Sequence, residues 1–164
     1  MADKTLMVDS TILIDYFRKT DKNNSRLVNH FKSYDALYIS SVTEFEVING
    51  ATPSHLEFWN QMLSRFINLN FDSKAARQAT EIVQQLKSKR KSIDKPDLFI
   101  AATAVVHELT LDTTNTKHFI YIDSLKFCPN KTAAYSALAP AGRDVGNFGY
   151  SFINHHMYGQ TLVI

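Results

Sequence analysis

One cysteine, Cys128, is all the 164-residue chain contains, which excludes an intrachain disulfide and any zinc site built from several thiolates. A reducing, cytoplasmic setting is the default expectation for such a chain. Net charge is also scarce. The 18 basic and 16 acidic side chains leave a formal +2, too little to mark a nucleic-acid binder by itself, so any such binding must come from local patches. No apolar run approaches the roughly 20 residues needed to span a bilayer. Met1-Ala2-Asp3-Lys4 lacks the basic-then-apolar pattern of a secretory leader. No membrane association is expected. Internal repeats, low-complexity tracts and a phosphate-cradling glycine loop are missing as well, which argues against nucleotide-driven functions.

What is present describes an ordinary globular protein, with 45% hydrophobic and 21% charged residues. A chain of this mass buries roughly 70% of its unfolded surface, enough to fold without metals or disulfides and too little for two full domains. Composition shifts near residue 128. Four of the five glycines lie beyond it, and Lys131, Arg143 and Asp144 are the only charged residues from Pro129 to Ile164. Residues 1–128 therefore read as the folded unit and 129–164 as a C-terminal extension of unassigned status.

Within 1–128, short β-like runs alternate with helical patterns. Thr5–Val8, Leu37–Ser40, Ile67–Leu69 and Leu109–Thr113 read as strands. Ile12–Arg18 and Ser25–Lys32 read as helices, and Ser41-Val42-Thr43-Glu44 matches a capping box opening a helix that Gly50 ends. Pro53 opens a helix to about Phe66. Asp72 or Ser73 caps one running to about Arg90, with an apolar stripe of Ala75, Ala76, Ala79, Ile82, Val83 and Leu86. Pro96 starts the helix Asp97–Glu108, and Thr114–Lys117 reads as a polar turn. The alternation predicts an α/β fold of three layers, a short central parallel sheet with helices on both faces.

In such a sheet, residues at the carboxyl ends of different strands converge on one crevice. Asp9 closes the first strand, Thr113 and Asn115 close the last, Glu46 sits one turn into the helix after the second, and Asp97 begins the helix entering the last. The first-turn position of Asp97 is expected to favour its ionised form. Clustered carboxylates raise one another's pKa unless a cation offsets them. An all-oxygen set suits a hard, hydrated ion, Mg²⁺ or Mn²⁺, able to activate water against a phosphodiester.

The residues around these acids resemble a known family. Val8-Asp9-Ser10-Thr11-Ile12-Leu13-Ile14-Asp15 is similar to the opening motif of PIN domains, and Ser41-Val42-Thr43-Glu44-Phe45-Glu46-Val47-Ile48-Asn49-Gly50 to their second. Lys95-Pro96-Asp97-Leu98-Phe99-Ile100-Ala101-Ala102-Thr103-Ala104 matches the third, and Leu111-Asp112-Thr113-Thr114-Asn115-Thr116-Lys117-His118-Phe119 resembles the fourth. The order and spacing hold over about residues 5–127 and look most like the VapC toxins of type II toxin–antitoxin pairs. The resemblance implies an endoribonuclease dependent on Mg²⁺ or Mn²⁺ that hydrolyses RNA phosphodiester bonds by metal-activated water, leaving a 5′-phosphate and a 3′-hydroxyl. It implies Asp9 and Asp97 as principal metal ligands. Glu46 becomes a ligand or the base that orients water, and Asn115 stands where many members carry a fourth acid. Ser10 and Thr113 are implied as hydroxyls that orient the carboxylates. A homodimer and a cognate antitoxin are implied as partners. Asp112 departs from the apolar residue expected on its strand.

Competing readings stand beside these. Asp9 could merely cap the following helix, and Asn115 the turn after it. Glu44 and Glu46 lie about 200° apart on the helix, so one role is open to both; pairing Glu44 with Ser41 in the capping box leaves Glu46 for the site. Asp15 reads as a surface helix residue. The basic cluster Lys87, Lys89, Arg90, Lys91 and Lys95 either complements a helix C-terminus or forms a phosphate-gripping rim, with Arg18 and Lys19 as further candidates. His107 reads as structural, His118 as a surface residue or a partner of the site, and His155-His156 as a chance metal binder. Trp59, Phe58, Met62 and Phe66 read as core or dimer interface. The rival functions are a catalytically inactive PIN-like module binding RNA or protein, and a phosphatase with an aspartate nucleophile. The phosphatase lacks the second Asp such enzymes place two residues on, where Thr11 stands.

Overall fold

The computed structural model describes residues 4–128; the extension and His155-His156 lie outside them. Four parallel strands, β1 (Thr5–Val8), β2 (Ala36–Ser40), β3 (Ile67–Leu69) and β4 (Leu111–Asp112), form a sheet in the order β3-β2-β1-β4. Around it lie α1 (Ser10–Arg18), α2 (Arg26–Ser33), α3 (Ser41–Asn49), α4 (Leu56–Leu63), α5 (Ser73–Ser88), α6 (Lys95–Val106) and the short α7 (Thr116–Phe119).

Two cores, one on each face, follow from alternation along the central strand. Leu6 and Val8 point into a cluster with Ile12, Leu13, Leu27, Val47, Trp59, Met62 and Phe66. Met7, between them, points the other way, into Ile82, Leu86, Ile100, Leu111 and Phe119. This is the three-layer arrangement read from the sequence. Trp59, Met62 and Phe66 are core, as expected. In α6, Ala101, Ala102 and Ala104 are fully buried, and their short side chains let the helix backbone approach the sheet closely.

Several local readings are corrected. The N-cap of α3 sits one residue before the expected capping box. Ser40 is the extended N-cap, its hydroxyl 3.0 Å from the Thr43 amide and 3.1 Å from the Thr43 hydroxyl. Ser41 Oγ instead accepts from the Phe71 amide at 3.2 Å, and Glu44 accepts from the Asn68 side chain, tying α3 to β3. Pro53–His55 is a separate 3₁₀ turn before α4, and Thr116–Phe119 is a helical turn. The expected apolar stripe of α5 is narrower, with Ala76 exposed beside an open groove lined also by Phe71, Val83 and Phe99. Both α5 and α6 stop two residues before the expected ends. Arg90 (φ 54°) and Glu108 (φ 55°) take left-handed conformations that reverse the chain. Lys91 N–H then donates to Leu86 at 2.9 Å and Leu109 N–H to Ala104 at 3.0 Å, closing both ends as Schellman motifs without glycine. His107, read as structural, is the exposed C-cap of α6.

Candidate active site

The chain runs from β1 outward through β2 to β3, then returns to place β4 on the opposite side of β1. The order therefore reverses between β1 and β4, and a crevice opens beyond their carboxyl ends. Asp9 follows β1 and Thr113 follows β4 at that point.

Asp9 is the N-cap of α1 and stands at the carboxyl end of β1. It is 1% exposed. The Ser10 amide donates to Oδ1 at 2.8 Å, while the hydroxyls of Thr113 and Thr11 donate to Oδ2 at 2.7 and 3.0 Å. Burial pushes its pKa above the ordinary value, and these groups, with the Ser10 hydroxyl, oppose that shift. Thr113 and Ser10 behave as expected. Thr11 is an additional contributor, two residues after Asp9, that the sequence reading missed.

Asp97 stands in the first turn of α6. Its helix position was expected to favour ionisation, yet burial dominates and its pKa is raised, helped by Asp9 and Asp94 and opposed by His118. His118 Nδ1 lies 2.6 Å from Asp97 Oδ2 and 2.7 Å from the Asn115 amide nitrogen. Asn115 occupies the N-cap position of α7 but makes no capping bond; its side chain reaches His118 instead. The spacing Asn115-x-x-His118 puts both on one face of a helical turn, which was the available signal for this pair.

Glu46 completes the set from α3. Its pKa is pushed up to about 7, first by burial and then by the charges of Asp9 and Asp97, with the Ser10 hydroxyl acting in the opposite direction. Its Oε2 is buried without a hydrogen-bond partner. An orphaned buried carboxylate oxygen is costly unless it takes up a proton or gains a partner, and a bound cation is one group that would satisfy it. Glu44, tied to Asn68, leaves Glu46 as the acid of α3 facing Asp9 and Asp97.

No His, Cys, Asp or Glu groups of three or more close tightly enough to enclose an ion among the described residues. Asp9 and Asp97 are instead turned to their own hydroxyl and imidazole partners. The donor chemistry nevertheless fits a hard divalent ion: three carboxylates, each with a raised pKa, in mutual electrostatic reach.

Some of the other candidates are engaged in contacts of their own. Asp15 forms a surface pair with Lys19 at 3.0 Å. Lys89 donates to Asp123 at 2.5 Å and to the Tyr121 carbonyl at 3.0 Å, and Lys91 lies over the Tyr121 ring at 4.3 Å. Part of the basic cluster thus braces the segment that follows α7.

The PIN domain family model matches residues 6–124, which include all four site positions. The chain belongs to the PIN-domain family. Ribonuclease VapC1 of Methanocaldococcus jannaschii is 31% identical to it over 121 residues, 71% of this chain and 80% of that protein. Ribonuclease VapC10 of Mycobacterium tuberculosis is 33% identical over 122 residues, 74% of this chain and 90% of that one. Among solved structures, a toxin–antitoxin complex from Klebsiella pneumoniae holds a chain 31% identical to this PIN domain. It has a TM-score of 0.59 and covers 73% of this chain and 94% of its own. Within the PIN-domain family, the chain groups with the VapC proteins.

Proposed function

We propose that this PIN-domain protein is a divalent-metal-dependent endoribonuclease acting in the cytoplasm as the toxin of a toxin–antitoxin pair. The orphaned, buried oxygen of Glu46, facing Asp9 and Asp97, carries the reading. The names of its relatives, ribonucleases VapC1 and VapC10, support it. When bound, Mg²⁺ or Mn²⁺ supplies Lewis-acid activation of water and neutralises charge on the scissile phosphate. Asp9 and Asp97 hold the ion, with Asp9 fixed by Thr11 and Thr113 and Asp97 by His118. Glu46, with a pKa of about 7, can lend an oxygen to the ion or take a proton from water near neutral pH. The test is cleavage of structured RNA in Mg²⁺ or Mn²⁺, abolished by chelator and restored by added metal. A protein that binds Mn²⁺ and RNA but never cleaves is the inactive module.

Asn115 has no charge to offer a second ion, so the protein is expected to work with one firmly held metal. Asn115→Asp should lower the Mg²⁺ concentration for half-maximal cleavage in a side-by-side titration. Superimposable curves would place Asn115 outside the metal's reach, as a partner of His118 alone.

The partners are proposed on the same footing. The Klebsiella pneumoniae neighbour is a toxin–antitoxin complex, which supports a cognate antitoxin for this chain. An antitoxin segment carrying a basic side chain would match the carboxylates. A homodimer is expected at micromolar concentration by light scattering, and a strict monomer would remove the dimer from the account. No helix among the described residues is long and apolar enough to cross a membrane.

A further inference from the structure

Asp112 is a fully buried acid on an edge strand, where the family pattern led us to expect an apolar residue. The structure supplies it with two partners on α2. Arg26 of α2 bonds its Oδ1, and His30 Nε2, one turn along the same helix, lies 2.5 Å from its Oδ2. Tyr34 and Cys128 stand nearby; burial raises both their pKa values, and the Asp112 charge adds to the shift.

The placement of this cluster matters more than its chemistry. β4 has two residues, pairing with β1 as Met7↔Leu111 and Val8↔Asp112. Leu111 is held on its outer side by Lys126 and Cys128, at 2.7 and 3.0 Å. Asp112 has no such strand partner among the described residues, and two-residue edge pairings hold weakly. Yet the Asp112 carbonyl accepts the Asp9 amide at 2.9 Å, and the next hydroxyl, of Thr113, donates to Asp9 Oδ2 at 2.7 Å. Main chain and side chain of Asp9 both hang on residues 112–113.

We propose that Asp112, clamped by Arg26 and His30, is a positioning residue that fixes the end of β4 and thereby aims the Asp9 carboxylate. The proposal rests on Asp9 as a metal ligand. Asp112 itself faces α2 and touches no reacting group.

The test measures Mn²⁺ binding by electron paramagnetic resonance on the free protein, without RNA, for the parent, Asp112→Asn, Thr113→Val and the double variant. Each is held well below its own melting temperature. Asp112→Asn should weaken Mn²⁺ binding about tenfold, the scale of groups that orient ligands. The double variant should lose less than the product of the single losses, because both changes act through Asp9. His30→Gln, which leaves the Arg26 contact in place, should weaken binding in the same direction and serves should Asp112→Asn fail to fold. A lowered melting temperature with unchanged Mn²⁺ affinity in these variants overturns the proposal, since Asp112 then serves stability alone. Losses that multiply also overturn it, because they indicate a through-space charge effect. A parent that binds no Mn²⁺ at all overturns the metal site itself, a separate result.

Discussion

Asp97→Asn is expected to reduce RNA cleavage by on the order of a hundredfold to a thousandfold while leaving the fold intact. The amide has the shape of the carboxylate, and its oxygen can still accept from His118 Nδ1, 2.6 Å away in the parent. What it loses is the negative charge that would hold the ion. Stability points the other way. Burial and the neighbouring Asp9 raise the pKa of Asp97, so the ionised form costs the folded protein free energy in the absence of metal. The metal-free variant should therefore melt at or above the parent temperature at pH 7.5. Parent-like cleavage by Asp97→Asn in a contaminant-controlled assay would remove Asp97 from the site.

Glu46→Gln should be comparably severe for cleavage, whereas Glu44→Gln should lose little. The amide oxygen introduced by Glu44→Gln can still accept from Asn68, so no buried donor is stranded. Equal losses for the two variants would sink the choice of Glu46. The same residue gives a pH signature. Its folded-state pKa of about 7 lies above the ordinary 4.5, so the folded protein binds this proton more tightly than the unfolded chain. That stabilisation is complete below about pH 4.5 and is lost as pH rises through about 7. Metal-free parent should lose stability between about pH 4.5 and 7 relative to Glu46→Gln, in paired denaturant titrations. Metal and proton compete for the same oxygens, so Mn²⁺ affinity should rise over that window in the parent and much less in the variant.

The sheet was legible because its strands are apolar runs ended by acids, hydroxyls or turns, and because helices separate them. Asp9, Glu46 and Asp97 were legible from motif spacing, and the reversal of strand order explains why positions so far apart in sequence meet. Other features were hidden for physical reasons. The left-handed turns at Arg90 and Glu108 carry no glycine, so nothing in the sequence marked the ends of α5 and α6. Ser40 and Ser41 are chemically equivalent caps, and only backbone geometry assigns the role to Ser40. The raised pKa of Asp97 is not legible in the sequence because a first-turn position says nothing about burial, the largest cause of the shift. Asp112 had no account in the sequence, since its partners Arg26 and His30 lie 86 and 82 residues away.

The central claim is that Asp9, Glu46 and Asp97 hold a divalent ion at the β1–β4 crevice. Anomalous diffraction from crystals soaked in Mn²⁺ tests it most directly. The account predicts a Mn²⁺ peak among these three carboxylates, with the Glu46 oxygen that lacks a protein partner turned toward it. A crevice without Mn²⁺ at saturating concentration, in crystals of protein that cleaves RNA, would contradict it.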